Sequence, residues 1–266
     1  MQKYGLIGDP ISHSKSPAIQ NAALQACQIK GEYRLLNTPG EELAQIVARL
    51  RADNVQGFNV TTPFKQAIIP FLAGLDQSAA QIQAVNTVKN VAGKWIGYST
   101  DGAGFWQSIT VTPGMQVALL GAGGAVKAII SARPANVELV VFNHVSPHFT
   151  QHKVELQQLF GIELQPLPAL TPKLGALDML INATSVGLTD DLSILTQAEV
   201  AQLPAKAVVV DLIYRTQETL LMTYARQTGH QVIGGLPMLV NQGALSFEIW
   251  QQQVTPIASM TAALAD

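Results

Sequence analysis

The apolar run Gln116–Leu120 leads directly into Gly121-Ala122-Gly123-Gly124-Ala125, and then into residues of helical spacing up to about Ala132. Strand, glycine loop and helix in that order open a βαβ unit. The glycines permit a tight turn and close backbone approach, and the free amides at the helix start face an anion. Three further apolar runs follow, Glu138–Phe142, Leu177–Asn182 and Ala207–Leu212. Continuous apolarity is what parallel strands covered on both faces require. The pattern predicts α/β architecture with right-handed crossovers. The match to the dinucleotide fingerprint is partial, because Val126 stands at the third glycine position.

Upstream, strand-like and helix-like segments also alternate. Lys3–Gly8 reads as a short strand. Ser16–Cys27 reads as a helix, with Ser16 as its cap and Pro17 at the first helical position. Glu32–Asn37 is a strand, and Glu41–Arg51 an amphipathic helix with Leu43, Ile46, Val47 and Leu50 on one face. Gln56–Thr61 is a third strand, ended by Thr62-Pro63 because the residue before proline is pushed to extended geometry. Val85–Lys89 and Trp95–Ser99 flank the turn-like Asn90–Lys94 as a hairpin. Met238–Gln252 and Pro256–Ala265 are helical. A boundary near Asp101–Gly104 divides the 266 residues into two α/β domains with a cleft between them, within the usual range of roughly 100–200 residues per domain.

Composition removes several classes of function. Lys and Arg number 16 against 18 Asp and Glu, a net charge of −2, so no basic field exists to hold a nucleic acid. Only 13% of residues are charged and 48% are apolar, against about 25% charged in an average soluble chain. Such a chain buries a full core. The single cysteine, Cys27, excludes an internal disulfide and a cysteine-based metal site, and no metal is expected. No apolar stretch approaches the roughly 18 residues of a membrane span. Met1-Gln2-Lys3 runs straight into Tyr4-Gly5-Leu6-Ile7-Gly8, without the layout of a signal peptide. These features predict a soluble, cytoplasmic protein acting on a small molecule.

The polar residues that can carry chemistry stand at strand ends. Lys65 closes Asn59-Val60-Thr61-Thr62-Pro63-Phe64-Lys65, Asp101 precedes Gly102, and Ser12, Ser14 and Ser16 lie in front of a helix. Taken singly, each has an ordinary reading: a solvated lysine, a helix cap, loop hydroxyls. Taken together in a chain of few charges, they suit catalysis. Hydroxyls before a helix N-terminus can hold a carboxylate. A lysine partnered by an aspartate can supply a proton while a hydride arrives from a cofactor. After the glycine loop, the second strand ends at Phe142-Asn143-His144. Neither an acidic residue for the ribose of NAD nor an arginine for the 2′-phosphate of NADP is present there. The residues leave the choice of cofactor open.

These motifs resemble the shikimate dehydrogenase family, in order along nearly the whole chain. Gly5-Leu6-Ile7-Gly8-Asp9-Pro10 leads to Ser12-His13-Ser14-Lys15-Ser16-Pro17. Asn59-Val60-Thr61 with Pro63 and Lys65, Ala84-Val85-Asn86-Thr87, and Thr100-Asp101-Gly102 with Gly104 follow. Then come Gly121–Ala125, Asn182-Ala183-Thr184-Ser185, and Gly235 through Met238, Leu239 and Gln242. The resemblance implies an N-terminal substrate domain over 1–101, with the helices of 238–266 packing back on it. It implies a Rossmann-like NADP-binding domain over 102–237. The implied reaction is reversible, NADPH-dependent reduction of 3-dehydroshikimate to shikimate in the aromatic amino-acid (chorismate) pathway.

By the same resemblance, Lys65 and Asp101 are the proton-transfer pair and Ser14 and Ser16 hold the substrate carboxylate. Thr61, Asn86 and Gln242 take ring hydroxyls, and Tyr214 stands near the carboxylate. Gly121, Ala122, Gly123, Gly124, Ala125, Asn143, His144, Thr184 and Leu212 line the cofactor, with Gly235 and Met238 near the nicotinamide. There are two departures. Asn143-His144-Val145 replaces the family's Asn-Arg-Thr and lacks the arginine for the 2′-phosphate, which keeps NAD as an alternative. Tyr214-Arg215-Thr216 replaces Tyr-x-Pro. The competing readings are a quinate/shikimate paralogue using NAD, and a non-catalytic metabolite or nucleotide sensor on the same fold. The oligomeric state stands between monomer and homodimer.

Overall fold

The computed structural model describes residues 1–36 and 42–265. By contact density the chain forms two compact units, Met1–Phe105 with Leu239–Asp266, and Trp106–Met238. The ends of two expected elements, Asn37 and Glu41, lie outside the described residues.

The first unit opens with β1 (Gln2–Ile7), α1 (Ser16–Ala26), β2 (Gly31–Leu35), α2 (Leu43–Ala52) and β3 (Gly57–Val60). It continues with α3 (Phe64–Ala67), a 3₁₀ turn at Ile69–Phe71, β4 (Gly74–Leu75), α4 (Gln77–Ile82), β5 (Thr87–Val91), β6 (Lys94–Tyr98) and α5 (Asp101–Gln107). The sheet order is β2-β1-β3-β5-β6-β4. β1 pairs in parallel with β2 and β3, whereas β5 runs antiparallel to both β3 and β6. The sheet is therefore mixed: β1, β2 and β3 run parallel, β5 and β6 form the expected hairpin, and β4 pairs in parallel with β6. The amphipathic face of α2 works as its spacing requires: Ile46, Val47 and Leu50 are buried, beside Phe58, Val60 and Trp95. The hairpin closes through Ala92 and Gly93, both at positive φ, the two-residue turn that matches the natural strand twist.

One expectation about α1 fails. Lys15 occupies the cap position and no side chain caps the helix there; Ser16 is already helical, which puts Pro17 second. The backbone N–H of Ser16 donates instead to Ser14 Oγ at 3.2 Å. Ser14 reaches that amide from one residue before the cap, so Ser16 keeps its hydroxyl for other partners.

The second unit is β7 (Met115–Leu120), α6 (Gly124–Ser131), β8 (Val137–Asn143), α7 (Phe149–Phe160) and β9 (Leu164–Pro166), followed by a 3₁₀ stretch, Leu167–Ala176. Next come β10 (Met179–Asn182), α8 (Gln197–Val200), β11 (Val208–Asp211), α9 (Leu220–Gln227) and β12 (Gln231–Ile233). All six strands are parallel, in the order β12-β11-β10-β7-β8-β9. This is the doubly wound dinucleotide-binding order. Its central strands are buried apart from Gln116, as their apolar sequence requires. The chain ends in α10 (Leu236–Gln251) and α11 (Ile257–Ala262). In the first unit, Trp250 of α10 donates its indole N–H to the Val88 carbonyl at 2.9 Å and stacks on Tyr4. No helix among the described residues is long and apolar enough to cross a membrane.

Candidate active site

In the first unit the chain leaves β1 toward β2 and then returns to β3 on the other side. The carboxyl ends of β1 and β3 thus meet at a switch in strand order, where open α/β sheets bind ligands. Ser14 and Ser16 follow β1, and Thr61 and Lys65 follow β3. β5 runs antiparallel to β3, with Asn59 opposite Thr87, so its beginning reaches the same edge and brings Asn86. β6 turns back again, with Tyr98 opposite Thr87, and delivers Thr100 and Asp101. Residues from four distant segments therefore share one rim. Gly104 supports it from α5: a Cβ there would lie 2.5 Å from the Gln242 amide nitrogen, so only glycine lets α10 come this close.

Lys65 Nζ donates to Asp101 Oδ2 at 2.6 Å, and the two side chains are 28% and 14% exposed. Asp101 Oδ1 accepts from Asn86 Nδ2 at 2.8 Å. The Thr100 backbone N–H donates to Asn86 Oδ1 at 2.8 Å, which fixes which way the amide faces. Gln242 Oε1 lies 3.3 Å from Asn86 Nδ2. Thr61 and Ser14 are half-buried and Ser16 is buried. An ammonium held by a carboxylate at a partly open rim can deliver a proton to an oxygen on which charge develops.

Behind this rim lies a tier of polar side chains that the sequence reading did not single out. Asn59 Nδ2 is 3.0 Å from the Asn86 carbonyl and 3.0 Å from Ser246 Oγ, while Asn59 Oδ1 accepts from the Tyr33 hydroxyl at 2.8 Å. Thr87 and Ser246 hydroxyls are 2.7 Å apart. Burial pushes the Tyr33 phenol well above its ordinary value, partly countered by the Ser16 hydroxyl. The one signal in sequence was a polar residue within an otherwise apolar run, as with Asn59 between Phe58 and Val60.

The second unit's rim is built mainly from backbone. β7 and β10 flank its switch point, with Leu120 opposite Asn182. Gly121 takes φ +118° beside the Ala183 carbonyl, a backbone angle that side chains avoid. Ala122 is buried, and Ala125 lies in the first turn of α6. A Cβ at Gly123 or Gly124 would meet nothing within 4 Å, so the start of α6 faces open space. Val126, in place of a third glycine, is fully buried. Asn143 ends β8 and His144 is exposed beyond it. The nearby lysines are occupied: Lys127 bonds Glu155 at 2.6 Å and Lys153 bonds Glu163 at 2.9 Å.

At the ends of β10 and β11, Thr184 donates its N–H and hydroxyl to Asn182 Oδ1, and Asn182 Nδ2 donates to Asp211 at 3.1 Å. Burial raises the Asp211 carboxyl above the usual carboxylate range, against the opposing effect of hydrogen bonds from Thr219, Ile213 and Asn182. Gly235 packs so tightly on the Leu212 carbonyl that a Cβ would collide with it. Met238 is half-buried in α10. Tyr214, 38% exposed, follows β11 in this unit, whereas the other residues assigned to the substrate belong to the first. Among the described residues, no group of three His, Cys, Asp or Glu side chains could hold a metal ion.

Known proteins share this fold. Residues 6–88 match the family description of the shikimate dehydrogenase substrate binding domain, and residues 235–265 that of the shikimate 5′-dehydrogenase C-terminal domain. The chain is 38% identical over 258 residues to the shikimate dehydrogenase (NADP(+)) of Shouchella clausii strain KSM-K16, covering 94% of this chain and 92% of that one. The crystal structure of shikimate dehydrogenase from Aquifex aeolicus has a TM-score of 0.90 at 34% identity, over 100% of this chain and 98% of that one. The shikimate 5-dehydrogenase of Thermus thermophilus, in complex with NADP(H) and shikimate, has a TM-score of 0.87 at 34% identity, over 100% and 99%. At such identity over nearly the full length of both chains, this chain belongs to the shikimate dehydrogenase family.

Proposed function

We propose that the protein catalyses the reversible, NADPH-dependent reduction of 3-dehydroshikimate to shikimate, as a cytoplasmic enzyme of aromatic amino-acid biosynthesis. The observation that carries this reading is the Lys65–Asp101 bond of 2.6 Å at a strand-end rim. NADPH, when bound, supplies the hydride. Lys65 gives its proton to the ketone oxygen, so that C=O becomes CH–OH, and the neutral amine regains a proton from solvent. In the reverse direction Lys65 takes the hydroxyl proton. Its charge favours the transition state, in which the oxygen becomes negative, over the ground state. Asp101 orients Lys65.

Ser14 and Ser16 receive the substrate carboxylate at the start of α1, where backbone amides favour an anion. Thr61, Asn86 and Gln242 take ring hydroxyls, and Tyr214 stands near the carboxylate. The second unit's residues suit NADP. The open faces of Gly123 and Gly124 leave room for a pyrophosphate against the first turn of α6. Gly121, Ala122, Ala125, Thr184 and Leu212 form the surrounding walls, and Gly235 and Met238 border the nicotinamide. Asn143 and His144 receive the adenosine ribose and its 2′-phosphate.

The test is an absorbance assay at the nicotinamide wavelength on purified protein, with shikimate and quinate each paired with NADP and NAD. Shikimate with NADP is expected to give the highest kcat/KM. A preference for quinate with NAD would overturn this in favour of the paralogue reading. Tight nucleotide binding without turnover of either acid would favour a sensor.

A further inference from the structure

We propose that Thr100 is a positioning residue for the Lys65–Asp101 pair: its hydroxyl locks the Asn86 amide so that Asn86 grips one oxygen of Asp101 and leaves the other to Lys65. The role of the pair rests on the proposed function, but the hydrogen-bond logic does not. Thr100 immediately precedes α5, the position at which threonine ordinarily accepts a bond from its own helix. Here the hydroxyl reaches across to other segments. Thr100 Oγ1 lies 2.8 Å from Asn86 Nδ2 and 3.0 Å from the Gln242 carbonyl oxygen.

The polarity of these bonds is determined. A backbone N–H can only donate, so the Thr100 amide requires Asn86 Oδ1 to face it. Asn86 Nδ2 then faces the other way, with one hydrogen for Asp101 Oδ1 and one for Thr100 Oγ1. The Gln242 carbonyl can only accept, so it takes the Thr100 hydroxyl hydrogen. Thr100 thus clasps Asn86 twice, by backbone and by side chain, and ties α10 to the same cluster. Thr100 and Asn86 are each 3% exposed, which leaves water poor access to replace a missing partner. Without this hydroxyl, the buried Asn86 hydrogen keeps only Gln242 Oε1, 3.3 Å away, as its acceptor, and the amide that holds Asp101 Oδ1 is tied down through its own oxygen alone.

The experiment compares Thr100→Val, which keeps the shape and removes the hydroxyl, with Thr100→Ser, which keeps the hydroxyl. The first readout needs no substrate: the rate at which trinitrobenzenesulfonate modifies Lys65 in the full-length protein, followed by peptide mass spectrometry with Lys3 and Lys206 as internal standards. An ammonium held against a carboxylate is shielded from the reagent. Lys65 is therefore expected to react severalfold faster in Thr100→Val and at the parent rate in Thr100→Ser. The second readout is steady-state kinetics. Thr100→Val should lower kcat by about five- to tenfold, the equivalent of one lost hydrogen bond, with the KM for NADPH unchanged and Thr100→Ser within about twofold of parent. If Thr100→Val does not fold, Thr100→Ala removes the same hydroxyl and carries the same expectation. Equal Lys65 reactivity in parent and Thr100→Val, or equal damage from valine and serine, would overturn the proposal. Should the parent turn over no cyclohexane carboxylate while Lys65 reactivity still separates valine from serine, the proposed reaction fails and the positioning role stands.

Discussion

The carboxyl edge of the first sheet is lined by side chains bonded to one another, whereas that of the second is lined chiefly by backbone and empty space. Both edges arise at a switch in strand order. At the first, Lys65, Asp101, Asn86 and Thr100 form a continuous chain of hydrogen bonds. At the second, Gly123 and Gly124 offer amides at the start of α6 with nothing over them. The contrast suits the two tasks proposed for them. Moving a proton needs one group held at one angle, which buried and mutually satisfied side chains provide. Holding a phosphate needs several donors and close approach, which a bare helix start provides. One edge is made by fixing side chains and the other by leaving them out.

Removing the group that the first edge exists to hold should have the largest effect. Lys65→Met keeps most of the stem but loses charge and proton. It should lower kcat by roughly 10²–10⁴, with a much smaller change in substrate KM; survival of kcat within a few-fold would leave that edge without a catalytic purpose. The matching attack on the second edge is Gly123→Asp. Aspartate is a good helix cap and meets no neighbour there, so the melting temperature should hold. Its charge opposes a pyrophosphate and should raise the KM for NADPH by roughly a hundredfold. An unchanged KM would move the cofactor away from this loop.

Ser16→Ala sharpens the comparison further. A bond from a hydroxyl to a carboxylate is worth about 1.5–3 kcal/mol, so substrate KM should rise tenfold or more while cofactor KM stays fixed. Ser16 does not cap α1, but its buried hydroxyl bonds the Tyr33 phenol, so a stability loss of about 1 kcal/mol is expected as well; a melting shift with unaltered KM would make the residue structural only. A smaller effect is expected from His144→Arg on the second edge. The planar guanidinium suits a phosphate better than an imidazole does, so the ratio of NADP to NAD efficiency should rise severalfold, read from kcat/KM for each cofactor.

The smallest effect concerns pH. The folded-state value of Asp211 is raised by burial, so its contribution to stability is present in full below the unfolded carboxylate range. That contribution is lost as pH rises through the raised value. Melting curves from about pH 4 to about pH 7 should therefore show parent losing stability relative to Asp211→Asn as pH increases. Parallel curves would mean that Asp211 does not titrate differently in the folded protein.

Much of the second unit was legible because its strands are unbroken apolar runs and its turn is marked by glycines. Gln116–Leu120 and Glu138–Phe142 lie on strands, and Ala207–Leu212 overshoots β11 by one residue at each end. The short β4 and the 3₁₀ stretch Leu167–Ala176 were not foreseen: two residues carry no readable period, and Pro168 and Pro172 break any helical one. Ser16 was misread for a related reason. A serine followed by proline looks like a cap, but the helix starts one residue earlier and already includes Ser16, whose own N–H bonds Ser14 Oγ. Lys65 and Asp101 were recognisable as polar residues at strand ends, yet nothing local joined them across 36 positions.

By itself, the sequence determined the strand–helix alternation, the glycine loop, the near-neutral charge and the identity of the groups available for chemistry. These depend on local geometry and on burial, which neighbouring residues largely settle among themselves. Only the tertiary structure decided which polar groups would bond. Asn86 reaches Asp101 because β5 reverses against β3 and β6 reverses against β5. Thr100 reaches Gln242 because Gly104 lets α10 approach. A hydrogen bond requires its partners within about 3 Å, and for residues far apart in the chain that distance is set by strand register and helix contact.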